Sequence, residues 1–358
     1  MKEIALLKVH EELGAKMVDY AGFKMPIQYA GLSQEHMAVR ESVGIFDVSH
    51  MGEFIVSGSE ALDLIQKIST NDASKLEVGK IQYSCMPNGK GGIVDDLLIY
   101  KLKDNEYMLV VNASNTQKAW DWIEKNNNFN AQVKDISSQT SLLAVQGPKS
   151  VELLQELTKV KLAEVKYYTF IEGTIAGVDN VLISATGYTG EKGFELYFDN
   201  EHAEKIWNAI IKAGEPYGIQ PAGLGARDTL RLEKGFCLYG NDIDDTTSPF
   251  EAGLGWITKF NKDFIDSDRL KKQKEEGVDR KLIAFKMIDR GIPRKDYPIV
   301  DADVNEIGVV TSGTSSPMLK IGVGMGYVKT ELAKVGNEIF IQVRNKALKA
   351  EIVKPPFV

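Results

Sequence analysis

One local pattern of hydrophobic and polar positions recurs along the chain. An apolar run that reads as a strand is followed by a small polar bend. Apolar residues three and four apart then follow, the spacing of one helix face. The pattern occurs at 54–68, with strand Phe54-Ile55-Val56, a cap at Ser59 and apolar Leu62, Ile65 and Ile68. It returns at 107–123 with a cap at Asn112 or Ser114, and at 142–157, where Gly147-Pro148 puts proline at the first helical position. A fourth copy spans 195–211, where Asn200 precedes Ile206, Trp207 and Ile210. Hairpin-like strands lie between, such as 82–86 against 93–103. Antiparallel strands with helices returned to one face predict an α+β architecture of the split βαβ, ferredoxin-like type. No fixed repeat length accompanies the pattern, which argues against a solenoid.

Outside these units, 10–31 reads as short extended pieces joined by turns, and Ser33 caps a helix that Gly44 ends. Pro221 opens and Gly235 closes a helix with Arg227 and Arg231 one turn apart. A polar helical stretch follows at 259–277, with 271–276 as the expected linker. From 281 onward, short strand-like pieces punctuated by Gly and Pro predict a separate all-β domain, a small barrel or sandwich.

Composition narrows the function classes. A length of 358 residues suits two or three domains and a large core. The net charge of −7, with both signs well mixed, argues against a nucleic-acid binder working through a basic face. Cys85, Cys237 and four scattered His residues give no metal-ligand spacing. No signal-peptide or transit-peptide pattern is present, and no apolar run approaches the ~18 residues of a membrane span. The expectation is a cytoplasmic protein without metal, nucleic-acid or membrane partners.

Three stretches carry candidate chemistry. Asp95 and Asp96 sit inside the apolar run Ile93–Lys103, after the Gly-rich turn 87–92. Strand neighbours point to opposite faces, so one of the two carboxylates lines or buries something, unless both finish the turn and face water. Asp47-Val48-Ser49-His50-Met51-Gly52 puts His50 and Met51 at a strand end, where a structural His is the commoner outcome. The segment 187–195 is a tight Gly-rich loop that lacks the Gly-Lys-Ser/Thr ending of a P-loop. Glu195 opens the strand after it and could accept two N–H bonds side by side, as a pterin or guanine edge offers. Arg227 could neutralise that carboxylate or clamp an anionic tail, or could simply be exposed beside Arg231.

The segments 47–52, 91–97, 187–195, 223–233, Cys237-Leu238-Tyr239-Gly240-Asn241-Asp242 and Thr311-Ser312-Gly313 together resemble the aminomethyltransferase (T-protein) of the glycine cleavage system. The likeness runs from about residue 7 to Val358. It implies a three-domain cloverleaf with folate in a central channel. Here the domains would be 1–52 plus 141–240, 53–140 plus 241–277, and a barrel at 278–358. It implies transfer of a one-carbon unit from the aminomethyl-dihydrolipoyl H-protein to tetrahydrofolate, with release of ammonia and formation of 5,10-methylene-tetrahydrofolate. The partner would be the lipoylated H-protein, in association with the glycine decarboxylase and dihydrolipoamide dehydrogenase.

By the same resemblance Asp96 matches the essential carboxylate, and Glu195 and Arg227 match folate contacts. Tyr83, Tyr100, Asn112 and Tyr188 match pocket positions, with Met51 and Trp256 as wall residues. Some relatives continue past the terminal Pro-Phe-Val and draw a folate contact from that extension; here that contact would be missing or replaced by Arg294 or Tyr297. Two neighbours of the family remain as alternatives. A folate-dependent demethylase normally carries a Gly-x-Gly-x-x-Gly flavin domain, absent ahead of this region. A folate-binding accessory protein of iron–sulfur maintenance carries its cysteine one position earlier than Cys237, and Gln where this chain has Asn241.

Overall fold

The strand-forming runs assemble into four sheets in the computed structural model, which describes residues 1–358. The chain divides into two units. Unit 1 comprises Met1–Ile65, Ala73–Tyr83 and Leu97–Asp228, and unit 2 comprises Gln66–Asp72, Ser84–Asp96 and Thr229–Val358. No helix is long and apolar enough to cross a membrane.

Unit 1 begins with α1 (Leu7–Glu12), the hairpin β1 (Lys16–Tyr20) and β2 (Phe23–Gln28), and α2 (Leu32–Glu41). A six-stranded sheet contains β3 (Gly44–Asp47), β9 (Thr140–Gln146), β10 (Phe170–Ile175), β11 (Val178–Ser184), β12 (Gly193–Asp199) and β13 (Gln220–Pro221). Its order is β10-β11-β12-β9-β3-β13, and it is antiparallel except for the β13–β3 pair. Helices α5 (Ser150–Gln155) and α6 (Ala203–Gly214) turn Leu153, Leu154, Ile206, Trp207 and Ile210 into one core with Ile45, Val145, Ile183 and Leu196 of the sheet. Each such large side chain removed from water contributes roughly 1.5–3 kcal/mol.

A five-stranded sheet uses β4 (Gly52–Ser57), β5 (Ile81–Pro87), β6 (Ile93–Lys103), β7 (Glu106–Val111) and β8 (Gln132–Asp135), in the order β5-β6-β7-β4-β8. Helix α3 (Ala61–Ile68) follows β4 and α4 (Thr116–Asn126) follows β7, as the recurring pattern predicts. The turn between β5 and β6, with the adjoining strand ends from Ser84 to Asp96, belongs to unit 2.

Helix α7 (Leu224–Glu233) begins in unit 1 and ends in unit 2. Its start is set by a buried acid. Glu35 accepts from the backbone N–H groups of Tyr29 at 2.6 Å, Gly31 at 3.0 Å and Gly223 at 2.8 Å. Position 223 admits only glycine, because a Cβ there would lie 2.3 Å from the Ile27 backbone.

In unit 2, α8 (Ser267–Glu276) precedes a closed six-stranded barrel. The barrel strands are β14 (Arg280–Met287), β15 (Pro298–Val300), β16 (Glu306–Ser315), β17 (Gly322–Lys329), β18 (Glu338–Val343) and β19 (Lys346–Val353). They run in the order β14-β17-β16-β15-β18-β19, and β19 closes on β14 around Phe285, Ile299, Ile341 and Ile352. The buried guanidinium of Arg231, on α7, meets Asp242 Oδ2 at 2.7 Å and also donates to Phe236 O and Ser312 Oγ, each at 2.8 Å. Asp242 accepts further from Thr311 Oγ1 at 2.5 Å and from Ser312 Oγ and Leu238 N, each at 2.9 Å. Arg231 is therefore a structural residue and not an exposed partner of Arg227.

Four local expectations are corrected. Ser33 lies inside α2, whose N-cap is Gly31; the Glu35 carboxylate, not a Ser33 cap, binds Gly31 N. Pro221 ends β13 and does not open α7, because its neighbourhood pairs in parallel with Gly44 and Ile45. Residues 271–276 are the second half of α8, and the connection to the barrel shrinks to 277–279. Pro148 precedes α5 by two residues.

Because Asp242 and Arg231 are buried together, Asp242→Ala strands a guanidinium without its counter-charge. The expected loss of unfolding free energy is about 3–5 kcal/mol, read from urea denaturation. A loss below about 1 kcal/mol, the value of an ordinary exposed pair, would contradict this role.

Candidate active site

In unit 1 the antiparallel register sets Ser184 of β11 directly opposite Glu195 of β12. Glu195 is 8% exposed, and its Oε2 accepts from Thr186 Oγ1 at 2.5 Å. Burial pushes this carboxyl above its ordinary range, against the Thr186 hydrogen bond and the Arg227 charge, which pull it back. The Arg227 guanidinium stands over the Tyr188 ring, 4.5 Å from its centroid. Such stacking keeps an arginine oriented without consuming its N–H donors. Glu195, Arg227 and Tyr188 are thus brought into one neighbourhood, as expected for residues that share a ligand.

Tyr100 is wholly buried, and its hydroxyl is committed to Ser184 Oγ and Tyr197 Oη, each at 3.0 Å, with Thr186 Oγ1 at 3.4 Å. It stands behind Glu195 and has no exposed face to offer. Met51, Tyr83 and Asn112 are half-buried residues of the same unit.

His50 is the residue that local reading undervalues. It is buried against Tyr20 and Phe23, with ring centroids 5.4 and 6.5 Å away, and its Nδ1 has no hydrogen-bond partner. Burial first, and then the Arg227 charge, hold the imidazole neutral with a pKa lowered to about 3, against an opposing pull from Asp47. The neighbouring Asp47 is itself satisfied by His10 Nε2 and by Ser49 N, each at 2.9 Å. A polar atom buried without a partner is costly and uncommon in a structural histidine.

In unit 2 the two adjacent acids part as strand geometry requires. Asp95 is 0% exposed and Asp96 is half-buried, so the two do not both face open water. The start of β6 is held by Ile93 N donating to Asp244 O at 3.0 Å and by Tyr239 Oη donating to Ile93 O at 2.6 Å. A side chain at Gly92 would strike the Asp245 carbonyl at 1.8 Å, which explains the glycine before the acids. Burial, with contributions from the Asp96 charge, pushes the Cys85 and Cys237 thiols and the Tyr239 phenol upward. Those groups stay protonated. Trp256 is 63% exposed, a surface position for a residue expected in a wall. A cleft of about 690 Å³ lined by Glu156, Thr158, Val160, Gly173 and Gly177 shares no residue with either cluster.

Antiparallel α+β sheets with a terminal barrel, and a buried acid with one hydrogen-bond donor near a stacked arginine, are the features of a ligand-binding protein. Comparison with known proteins makes the class specific. Residues 6–262 match the GCVT N-terminal domain and residues 280–358 the glycine cleavage T-protein C-terminal barrel domain. The chain is 60% identical to the aminomethyltransferase of Flavobacterium psychrophilum, with 100% of this chain and 99% of the relative covered. It is 57% identical to that of Bacteroides fragilis over the same shares. The crystal structure of the glycine cleavage system aminomethyltransferase T from Bartonella henselae matches with a TM-score of 0.94 at 33% identity, covering 100% of this chain and 98% of that one. The chain belongs to the glycine cleavage T-protein family. Its activity is that of an aminomethyltransferase.

The neutral His50 makes stability depend on pH with a definite sign. Its folded pKa lies below the unfolded value, so between about pH 6.5 and pH 3 the unfolded chain binds the extra proton. The stability from this group is complete above about pH 6.5 and falls as pH drops, by up to about 1.4 kcal/mol per unit. His50→Gln should flatten that part of the curve in urea denaturations at pH 7, 6 and 5. Equal slopes for the two proteins would contradict the assignment.

Proposed function

We propose that the protein transfers the one-carbon unit of an aminomethyl-dihydrolipoyl H-protein to tetrahydrofolate in the cytoplasm, releasing ammonia and forming 5,10-methylene-tetrahydrofolate. Glu195 and Arg227 hold the folate, Tyr188 braces Arg227, and Asp96 acts at the reacting carbon. The observation that carries this reading is Glu195. It is a buried carboxylate with one hydroxyl donor and a nearby guanidinium that makes no ion pair with it. That donor set fits the adjacent N–H groups of a pterin, which would supply the missing partners. The unpaired Nδ1 of His50, near Arg227, points to the same incompleteness.

Tetrahydrofolate supplies the acceptor nitrogen. Loss of ammonia from the S–CH₂–NH₃⁺ group leaves positive charge on carbon, which a fixed carboxylate such as Asp96 stabilises electrostatically. The same carboxylate can take the proton from the attacking nitrogen. Tyr83, Asn112, Met51 and Trp256 are retained as candidate contacts, with Tyr100 acting through its hydroxyl partners. The three-part division 1–52 plus 141–240, 53–140 plus 241–277, and 278–358 is supported by sheet membership, since each sheet of four or more strands draws on one part apart from the boundary residues Gly52 and Thr140.

For the H-protein we propose the barrel surface. Arg290, Arg294, Lys320, Lys329, Arg344 and Lys346 are exposed, and exposed Ile288 and Ile292 flank Arg290 and Arg294. Lys349 is already paired with Glu338 at 2.6 Å, and Lys295 is bonded to Gly240 O at 2.6 Å, so both drop out of the docking set. The Arg294→Glu/Arg344→Glu variant should raise the Michaelis constant for H-protein and leave transfer from free aminomethyl-lipoate unchanged. The effect should shrink as salt shortens the Debye length from ~10 Å at 0.1 M to ~3 Å at 1 M. Equal loss with both substrates would locate docking elsewhere.

The catalytic reading is tested by Asp96→Asn, which keeps shape and removes charge. Turnover in a steady-state assay should fall by ~10²–10³-fold while tetrahydrofolate affinity is kept. Asp95→Asn should act on stability instead, because Asp95 is the wholly buried member of the pair. Equal turnover losses in two well-folded variants would overturn the assignment.

A further inference from the structure

Behind Glu195 lies a chain of buried hydroxyls that the reaction as described does not use. Thr186 Oγ1 lies 2.5 Å from Glu195 Oε2, and Ser184 Oγ lies 2.6 Å from Thr186 Oγ1. Tyr100 Oη lies 3.0 Å from Ser184 Oγ and 3.0 Å from Tyr197 Oη. All four hydroxyl residues are buried. Each hydroxyl owns one proton, and an ionised carboxylate can only accept. With Glu195 ionised, counting protons gives each direction. Thr186 donates to Glu195, Ser184 to Thr186, Tyr100 to Ser184, and Tyr197 to Tyr100. Four aligned O–H groups polarise one another toward the carboxylate. A protonated Glu195 would break that alignment, since its own proton would compete for Thr186.

The titratable and charged groups that face Glu195 from the surrounding elements are Arg227 of α7, Tyr100 of β6, Tyr197 of β12 and Tyr167 ahead of β10. Arg227 is the one cation among them. Burial pushes the Tyr100 and Tyr197 phenols upward, so both keep their protons and remain donors. With Oε2 taken by Thr186, Oε1 is the oxygen offered to a ligand.

We propose that Thr186, backed by Ser184, Tyr100 and Tyr197, is a positioning relay that holds Glu195 ionised and turned toward the folate. This rests on Glu195 being a folate contact. Thr186→Val is nearly isosteric and removes the donor, and Thr186→Ser restores it. Tetrahydrofolate affinity is measured by calorimetry from pH 5 to pH 8 for wild type, both Thr186 variants, Ser184→Ala, Tyr100→Phe and Glu195→Gln. Thr186→Val should bind about tenfold more weakly at neutral pH, the worth of one hydrogen bond to a charged group. The acid side of its affinity profile should move to higher pH. Thr186→Ser should return the wild-type profile. Ser184→Ala and Tyr100→Phe should shift it in the same direction by less, and they decide the question should Thr186→Val not fold. A Thr186→Val protein with the wild-type pH profile, even with uniformly weaker binding, overturns the relay. Unchanged affinity in Glu195→Gln overturns the folate contact itself.

Discussion

The cost of taking a carboxylate out of water orders this structure. An ionised carboxyl in an apolar interior loses several kcal/mol of hydration unless hydrogen bonds or a counter-charge replace it. The chain buries such groups repeatedly and replaces their water by different means. Glu35 receives three backbone N–H groups, Asp47 a histidine and an N–H, and Asp242 a guanidinium, two hydroxyls and an N–H. Glu233 takes Ser316 Oγ at 2.5 Å and Met318 N at 3.3 Å. Each of these fixes a junction: the start of α7, the end of β3, the loop before the barrel, the end of α7. Two buried acids depart from this: Glu53, whose carboxyl oxygens have no partner and which burial pushes well above the ordinary range, and Glu195, which has one hydroxyl and the Arg227 charge. What distinguishes Glu195 as a candidate ligand contact is the Arg227 charge beside it, carried by a guanidinium stacked on Tyr188.

Helix α7 links the two uses of charge. Arg231 and Glu233 anchor its second half within unit 2, and Glu35 with Gly223 fixes its first turn within unit 1. Arg227 sits between these fixed ends, so its guanidinium is aimed by a helix and not by a loop. Its charge then acts in two directions at once. It favours the ionised form of Glu195 and disfavours protonation of His50. At Glu195 this charge opposes the larger effect of burial, and at His50 it adds to it.

Much of the fold is legible in the sequence because burial has a period. The four strand-bend-helix copies became β4–α3, β7–α4, β9–α5 and β12–α6, and the Gly-punctuated tail became the barrel. What local reading loses is set by distant partners. Ser33 looks like a cap, but the N–H groups that matter are gathered by Glu35 from Tyr29, Gly31 and Gly223, the last 188 residues away. Pro221 looks like a helix start until β3 offers it a parallel strand. Alternation predicts that Asp95 and Asp96 diverge, yet only packing decides which is sealed in. Ser184, at the end of β11, Thr186, in the loop after it, and Tyr197, two residues on from Glu195 in β12, carried no signal of their own, and Tyr100 reaches them across 84 and more residues. The resemblance carried by motif order and spacing supplied the function. It could not supply the hydrogen-bond directions, which come from geometry alone.

The central claim is that Glu195 is a buried acid whose charge is completed by the folate. It is tested most directly by calorimetry of tetrahydrofolate binding in buffers of different ionisation enthalpy, which reads protons exchanged on binding. Burial raises the free carboxyl above its ordinary range, and new N–H donors must lower it again. The account predicts proton release on binding, growing as pH falls from 7 toward 5 and absent in Glu195→Gln. Binding without proton exchange across that range, or with proton uptake, would contradict it.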